Sequence, residues 1–183
     1  KIGSNGLDPL SGFSITAVCI GQNSGNTLAA NVTNSTCVGS GAICAAASST
    51  VIGQAASVTA TQGVAVGKSA TAASNAVAVG TSSNTVGSGV AVGYLANSTG
   101  GGGVVIGANS TDNGGGSGVV IGNGANGGPG GSGVCIGRNT VQGSGIGVIL
   151  IGESAQVADG STQAVCIGRQ ATVTGVGTTN SVV

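Results

Sequence analysis

The chain has no histidine, no tryptophan and no methionine, and only one phenylalanine, one tyrosine and two prolines. Without histidine, no Ser-His-Asp or Cys-His arrangement can activate a nucleophile. The chain also has no Cys-x-x-Cys pair, so a zinc site has no framework. Charge is equally scarce. Four basic and four acidic side chains leave a formal net charge of zero, which argues against nucleic-acid binding by phosphate neutralisation. The carboxylates Asp8, Asp112, Glu153 and Asp159 are scattered. Only Glu153 and Asp159 lie close in sequence, and they read as an exposed pair on one coil. Residues 100–103 and 127–131 are glycine-rich but lack the Gly-Lys-Ser/Thr end of a phosphate loop. No aspartate recurs as a calcium-binding nonapeptide repeat requires. These absences give an expectation of no enzyme activity, no cofactor and no metal. No run of about 18 apolar residues occurs, so no membrane insertion is expected. The chain starts at Lys1 without a signal peptide and reads as a processed product or an excised piece.

What is present is glycine, 39 residues of it, in a chain that is 40% hydrophobic. Disorder does not suit so apolar a chain, and glycine has no period of three, so collagen is excluded. Instead one phrase recurs eleven times, three β-favouring or small apolar residues and then glycine. Its glycines are Gly21, Gly39, Gly53, Gly67, Gly80, Gly93, Gly107, Gly122, Gly137, Gly152 and Gly168. The spacings run from 13 to 18 and never lapse. A period near fourteen predicts a stacked solenoid, because no single repeat can bury its own apolar face. The expected fold is all-β, a parallel β-solenoid of about 11 coils of 13–18 residues. Residues 1–16 form a leading segment, 17–177 the repeats, and 178–183 open a further strand.

Aligned on glycine, the residue one before it and the residue three before it are β-branched in every repeat. They lie two apart and share one strand face, which the sequence reading assigns to the coil interior. The residue between them points the other way. It is Cys19, Cys37, Val51, Ala65, Ala78, Ala91, Val105, Val120, Cys135, Leu150 or Cys166, with no polar residue in the column. As an outer stripe roughly 50 Å long it would be an aggregation hazard, and it therefore reads as an oligomer interface. Three residues after the glycine come small residues (Ala56, Ala70, Ser83, Ala96, Ser110, Ala125, Thr140, Ala155, Ala171), then Val58, Ala72, Thr85, Val157 and Val173 two further on. That alternation predicts a second short strand, small side in. Gly63, Gly87, Gly143, Gly160 and Gly175 supply corners, and corners absorb the extra residues of longer coils.

The stretch from Gly67 through Lys68-Ser69-Ala70-Thr71-Ala72-Ala73-Ser74-Asn75 to Ala76-Val77-Ala78-Val79-Gly80 resembles the head repeat of trimeric autotransporter adhesins, the YadA-like head. Gly152-Glu153-Ser154-Ala155-Gln156-Val157 with Ala164-Val165-Cys166-Ile167-Gly168 is similar to the same pattern. The resemblance covers Ala17 to about Gly177. It implies a left-handed parallel β-roll, a side-by-side homotrimer and a role in surface attachment through a host or matrix receptor. The spacing drifts further than the family's, no neck motif, stalk or anchor is visible, and the cysteines are atypical. The expected function is an extracellular structural or adhesive fibre module, on a cell or virion surface. The alternatives are a viral or phage fibre built on the same roll, an architectural filament without a ligand, and an ice-binding solenoid. Ice binding would call for a regular threonine ladder, whereas Thr59, Thr71, Thr85, Thr111, Thr140 and Thr172 hold no single column.

Four of the five cysteines occupy the middle column. They read either as small hydrophobes or as disulfide partners, between the adjacent rungs of Cys19 and Cys37, between chains, or between Cys37 and Cys44. The sequons at Asn31, Asn34, Asn97 and Asn109 are N-glycosylation candidates in a secretory setting. Lys1-Ile2-Gly3 reads as the close of a phrase and Ser181-Val182-Val183 as the opening of one. Either a longer array has been cut, or molecules stack head to tail as a filament.

Overall fold

The computed structural model describes residues 17–24, 33–114, 116–175 and 182–183. The chain divides into two compact units, Lys1–Ser88 and Gly89–Val183. Each is a parallel β-solenoid, and no helix occurs among the described residues.

In the first unit the strands are β1 (Val18–Ile20), β2 (Thr36–Val38), β3 (Ile43–Cys44), β4 (Thr50–Ile52), β5 (Ser57–Val58), β6 (Val64–Val66), β7 (Thr71–Ala72), β8 (Val77–Val79) and β9 (Asn84–Thr85). The recurring phrase supplies β1, β2, β4, β6 and β8, which stack as one parallel ladder. The two-residue strands β3, β5, β7 and β9 form the opposite wall. Like positions stand over like, so that Cys37 faces Val51 and Val51 faces Ala65.

The second unit repeats the plan with β10 (Val90–Val92), β11 (Asn97–Ser98), β12 (Val104–Ile106), β13 (Val119–Ile121), β14 (Val134–Ile136), β15 (Val141–Gln142), β16 (Ile149–Ile151), β17 (Gln156–Val157), β18 (Val165–Ile167) and β19 (Thr172–Val173). Coils of 15 and 16 residues keep the rungs in register, Val104 on Val119, Val119 on Val134 and Ile149 on Val165. The extra residues lie in corners, where they cost the ladder nothing. Single bridges from Asn97 through Thr111 and Asn126 to Val141 continue the second wall across these coils. Val182 bridges Val165, and Val183 accepts from the Ile167 amide at 2.8 Å and donates to the Val165 carbonyl at 2.9 Å. These two residues thus add a rung to β18. Lys1-Ile2-Gly3, Ser181 and most of the leading and closing segments lie outside the described residues.

The glycine column makes the first corner. At Gly67 φ is +134°, and a Cβ would stand 2.5 Å from the carbonyl oxygen of Gly80 in the next coil. Only glycine adopts that backbone and allows that approach. Two residues on, the chain passes through the left-handed region, at Ser69 with φ 55° and Ser82 with φ 54°. The next amide then closes the turn on the glycine carbonyl, Ala70 to Gly67 at 3.3 Å and Ser83 to Gly80 at 3.2 Å.

The interior reverses one expectation. Ten of the eleven middle residues, from Cys37 to Cys166, are at most 1% exposed, and Cys19 is 9% exposed. They point into the coil, so they are core and not an interface. The β-branched columns on either side point outward. The physical reason is the width of the coil. The middle column meets Ala56, Ala70, Ala96, Ala125 and Ala155 from the opposite wall, all fully buried. A lumen this thin accepts one side chain per three-residue strand, from alanine up to Leu150, and has no room for two β-branched ones. The second wall is as expected, with small residues inward.

Among the described residues of the first unit, one buried side-chain group is unsatisfied. The Thr85 hydroxyl sits in the inner column of Val58 and Ala72 and has no hydrogen-bond partner. Thr85→Val keeps the β-branched shape and removes the stranded donor. It should stabilise the unit by about 1 kcal/mol in urea unfolding.

Candidate functional site

The outward columns make the most extensive distinctive surface. In the second unit they comprise Val90, Val104, Val119, Val134, Ile149 and Val165 beside Val92, Ile106, Ile121, Ile136, Ile151 and Ile167. All twelve are aliphatic and β-branched. Ile106, Ile136, Ile149, Ile151 and Ile167 are 37–56% exposed, and the remaining seven are half-buried against one another. β-branched residues favour the extended backbone, and parallel pairing then repeats each pair every ~4.8 Å. The result is an apolar strip about 25 Å long and two columns wide. The first unit carries the same columns, with Thr36 and Thr50 as their polar members.

Three charged side chains lie at the rim of the strip. Arg138, Glu153 and Arg169 each follow a phrase glycine in successive coils, and Arg138 pairs with Glu153. The pair is largely solvated and adds little stability. On the other flank, Ser117, Val119, Ser132, Gly133, Val134, Gly147, Val148 and Ile149 line a shallow depression of about 300 Å³.

A second cluster is buried. Asp112 is 2% exposed and lies in the inner column between Ser98 and Gly127. Its Oδ1 accepts from the Thr99 amide at 2.7 Å, the Thr99 hydroxyl at 3.1 Å and the Gly114 amide at 3.4 Å. Its Oδ2 accepts from the Ser98 hydroxyl at 2.9 Å, and the Gly100 amide reaches both oxygens at 3.2 Å. A carboxylate therefore ties a glycine-rich corner to the next coil. In the sequence Asp112 was one of four scattered acids, and only its place five residues after Gly107, an inner-column position, could have marked it. Asp112→Asn would turn an acceptor into a donor among donors. It should destabilise the unit by about 2–4 kcal/mol and speed amide exchange at residues 99–103.

No disulfide joins the five cysteines, and all five are buried. Cys19 and Cys37 are register partners on adjacent rungs but are not linked. Cys135 donates to the Gln142 side chain at 3.3 Å, and burial pushes its thiol up to about 12. Burial also raises Cys166 and Cys19. Buried in closed coils, these three thiols are unreactive. Glu153 pairs with Arg138, while an Asp159 oxygen accepts from the Ser144 amide at 3.0 Å, so the two acids serve different contacts. Among the described residues no His, Cys, Asp or Glu group is arranged to hold a metal ion.

Of the sequons, Asn34 and Asn109 occupy left-handed turn positions with φ 57° and 56°, and Asn97 lies on β11. Asn31 lies outside the described residues. None of the eleven interface candidates from the sequence reaches the outer surface as an interface would require. The residues that do, the flanking valines and isoleucines, were read as core. The chain matches no family model and no curated protein.

Proposed function

We propose that the protein is a structural or adhesive fibre module, extracellular, that assembles with copies of itself through its outward Val and Ile columns. The observation that carries this reading is the strip of twelve β-branched residues in the second unit, uninterrupted by any polar side chain. A strip of that kind is a liability on a free surface and an asset in an interface. Its lack of charge and of polar side chains suits a partner that is also apolar, and another copy of this chain supplies one. Polar and charged rims around an apolar centre are the ordinary anatomy of such contacts. The resemblance of the repeats to the trimeric adhesin head supports a side-by-side homotrimer, and a cell-surface or virion-surface fibre is the setting that fits. The surface receptor of an adhesin would lie outside this strip. Negative-stain micrographs test the reading. Uniform multi-chain rods support it, and single isolated chains at micromolar concentration overturn it.

One observation favours a second reading, ice binding. Each rung of the main ladder presents a pair of outward β-branched residues on a parallel lattice, including Thr36 and Thr50. A monomer with thermal hysteresis would establish that reading in place of the first.

A further inference from the structure

Two thiols meet inside one coil of the first unit. Cys37 is the middle residue of β2, and Cys44 is the inward residue of β3 on the opposite wall. Each is 1% exposed. The Cys37 thiol reaches across to the carbonyl of Ala42, two residues before Cys44, at 3.2 Å. The Cys44 thiol reaches back to the carbonyl of Thr36, adjacent to Cys37, at 3.4 Å. The Cys37 thiol is also the neighbour that does most to raise the Cys44 thiol. In the next two coils the corresponding residues are apolar, Val51 with Val58 and Ala65 with Ala72. Cys135 faces a glutamine, and Cys166 faces Val173.

We propose that Cys37 and Cys44 form an oxidisable pair, a modification site at which a small-molecule disulfide converts the coil into one stapled across its lumen. The chemistry is thiol–disulfide exchange. When the coil opens, one cysteine loses its proton to solvent and its thiolate attacks a sulfur of the donor, breaking the donor S–S bond and expelling one thiolate. The second cysteine, deprotonated in turn, attacks the protein sulfur of that mixed disulfide and expels the other. The protein sulfurs give up two electrons, the donor sulfurs gain them, and the two protons end on the released thiols. The neighbouring Cys37 thiol and burial hold the Cys44 thiol protonated in the closed coil. Oxidation is therefore slow and follows opening. Once closed, the bridge resists reduction for the same reason. It joins the two walls of a coil that is otherwise held by small contacts, so the coil opens less often. This site is independent of the outward columns and does not rest on self-assembly.

The test uses the full chain, reduced, freed of reductant and equilibrated with oxidised and reduced glutathione. Denaturation in N-ethylmaleimide and intact mass then count the thiols. The expected product has three alkylated cysteines, no glutathione adduct and monomeric mass on a denaturing non-reducing gel. Its thermal midpoint should be raised by roughly 5 °C, a gain that dithiothreitol removes. Cys19→Ala should still form the bridge, and Cys44→Ala should not. Both substitutions place alanine in columns that already hold it, at Ala65 and Ala72. A bridge that survives Cys44→Ala, stable glutathione adducts, a cross-link between chains, or five free thiols under oxidising ratios would each overturn the proposal.

Discussion

Gly93→Ala is expected to unfold the second unit, while Gly168→Ala should leave it folded. Both glycines have the same backbone, φ +142° and +136°. For an L-residue that conformation costs about 1–3 kcal/mol in either place. The surroundings differ. A Cβ on Gly93 would stand 2.5 Å from the carbonyl oxygen and 2.7 Å from the carbonyl carbon of Gly107. Those atoms cannot retreat, because the Gly107 amide is bonded to the Val92 carbonyl at 2.8 Å in the same corner. Gly93→Ala should therefore cost about 4 kcal/mol or more, a large part of a small unit's stability. At Gly168 the nearest atom is the Ala171 Cβ at 3.8 Å, an ordinary contact. Urea unfolding followed by circular dichroism separates the two. Equal losses would mean that backbone conformation alone, and not stacking, selects glycine in this column.

Ala78→Asp is the second large effect. Ala78 is fully buried in the narrow lumen, and an aspartate there would have neither water nor a donor set like that of Asp112. An unpaired buried carboxylate costs several kcal/mol, and the first unit should fail to fold. Val79→Asp is the control. Its side chain points outward from the same strand and is half-buried, so the unit should stay folded with a loss of about 1 kcal/mol. A folded Ala78→Asp would restore the outward assignment of the middle column.

The repeat and its period were legible because glycine has a double constraint, in φ and in the close approach of successive coils. Parallel pairing and the inward Ala and Ser column of the second wall followed from the same alignment. Which face of β6 or β13 is inside was not legible. Val64-Ala65-Val66 is apolar on both faces, so alternation carries no sign. In β6 size carries it, since Ala65 suits a thin lumen, but in β13 Val120 sits between Val119 and Ile121 and size carries no sign. Asp112 was hidden for a related reason. Its partners are backbone amides of a glycine-rich corner, and no side-chain motif announces them. The Cys37–Cys44 pairing was legible as one of several candidates, and the wall-to-wall stacking within one coil is what favours it over Cys19 with Cys37.

The outward columns carry the central claim, and sedimentation velocity over a concentration series tests it most directly. The wild-type chain is run beside Ile136→Lys with Ile151→Lys, two outward substitutions on neighbouring rungs. The account predicts a discrete wild-type oligomer and a double variant that is monomeric with an unchanged circular dichroism spectrum. A wild-type chain that is monomeric at every concentration, or a double variant that assembles as the wild type does, would contradict it.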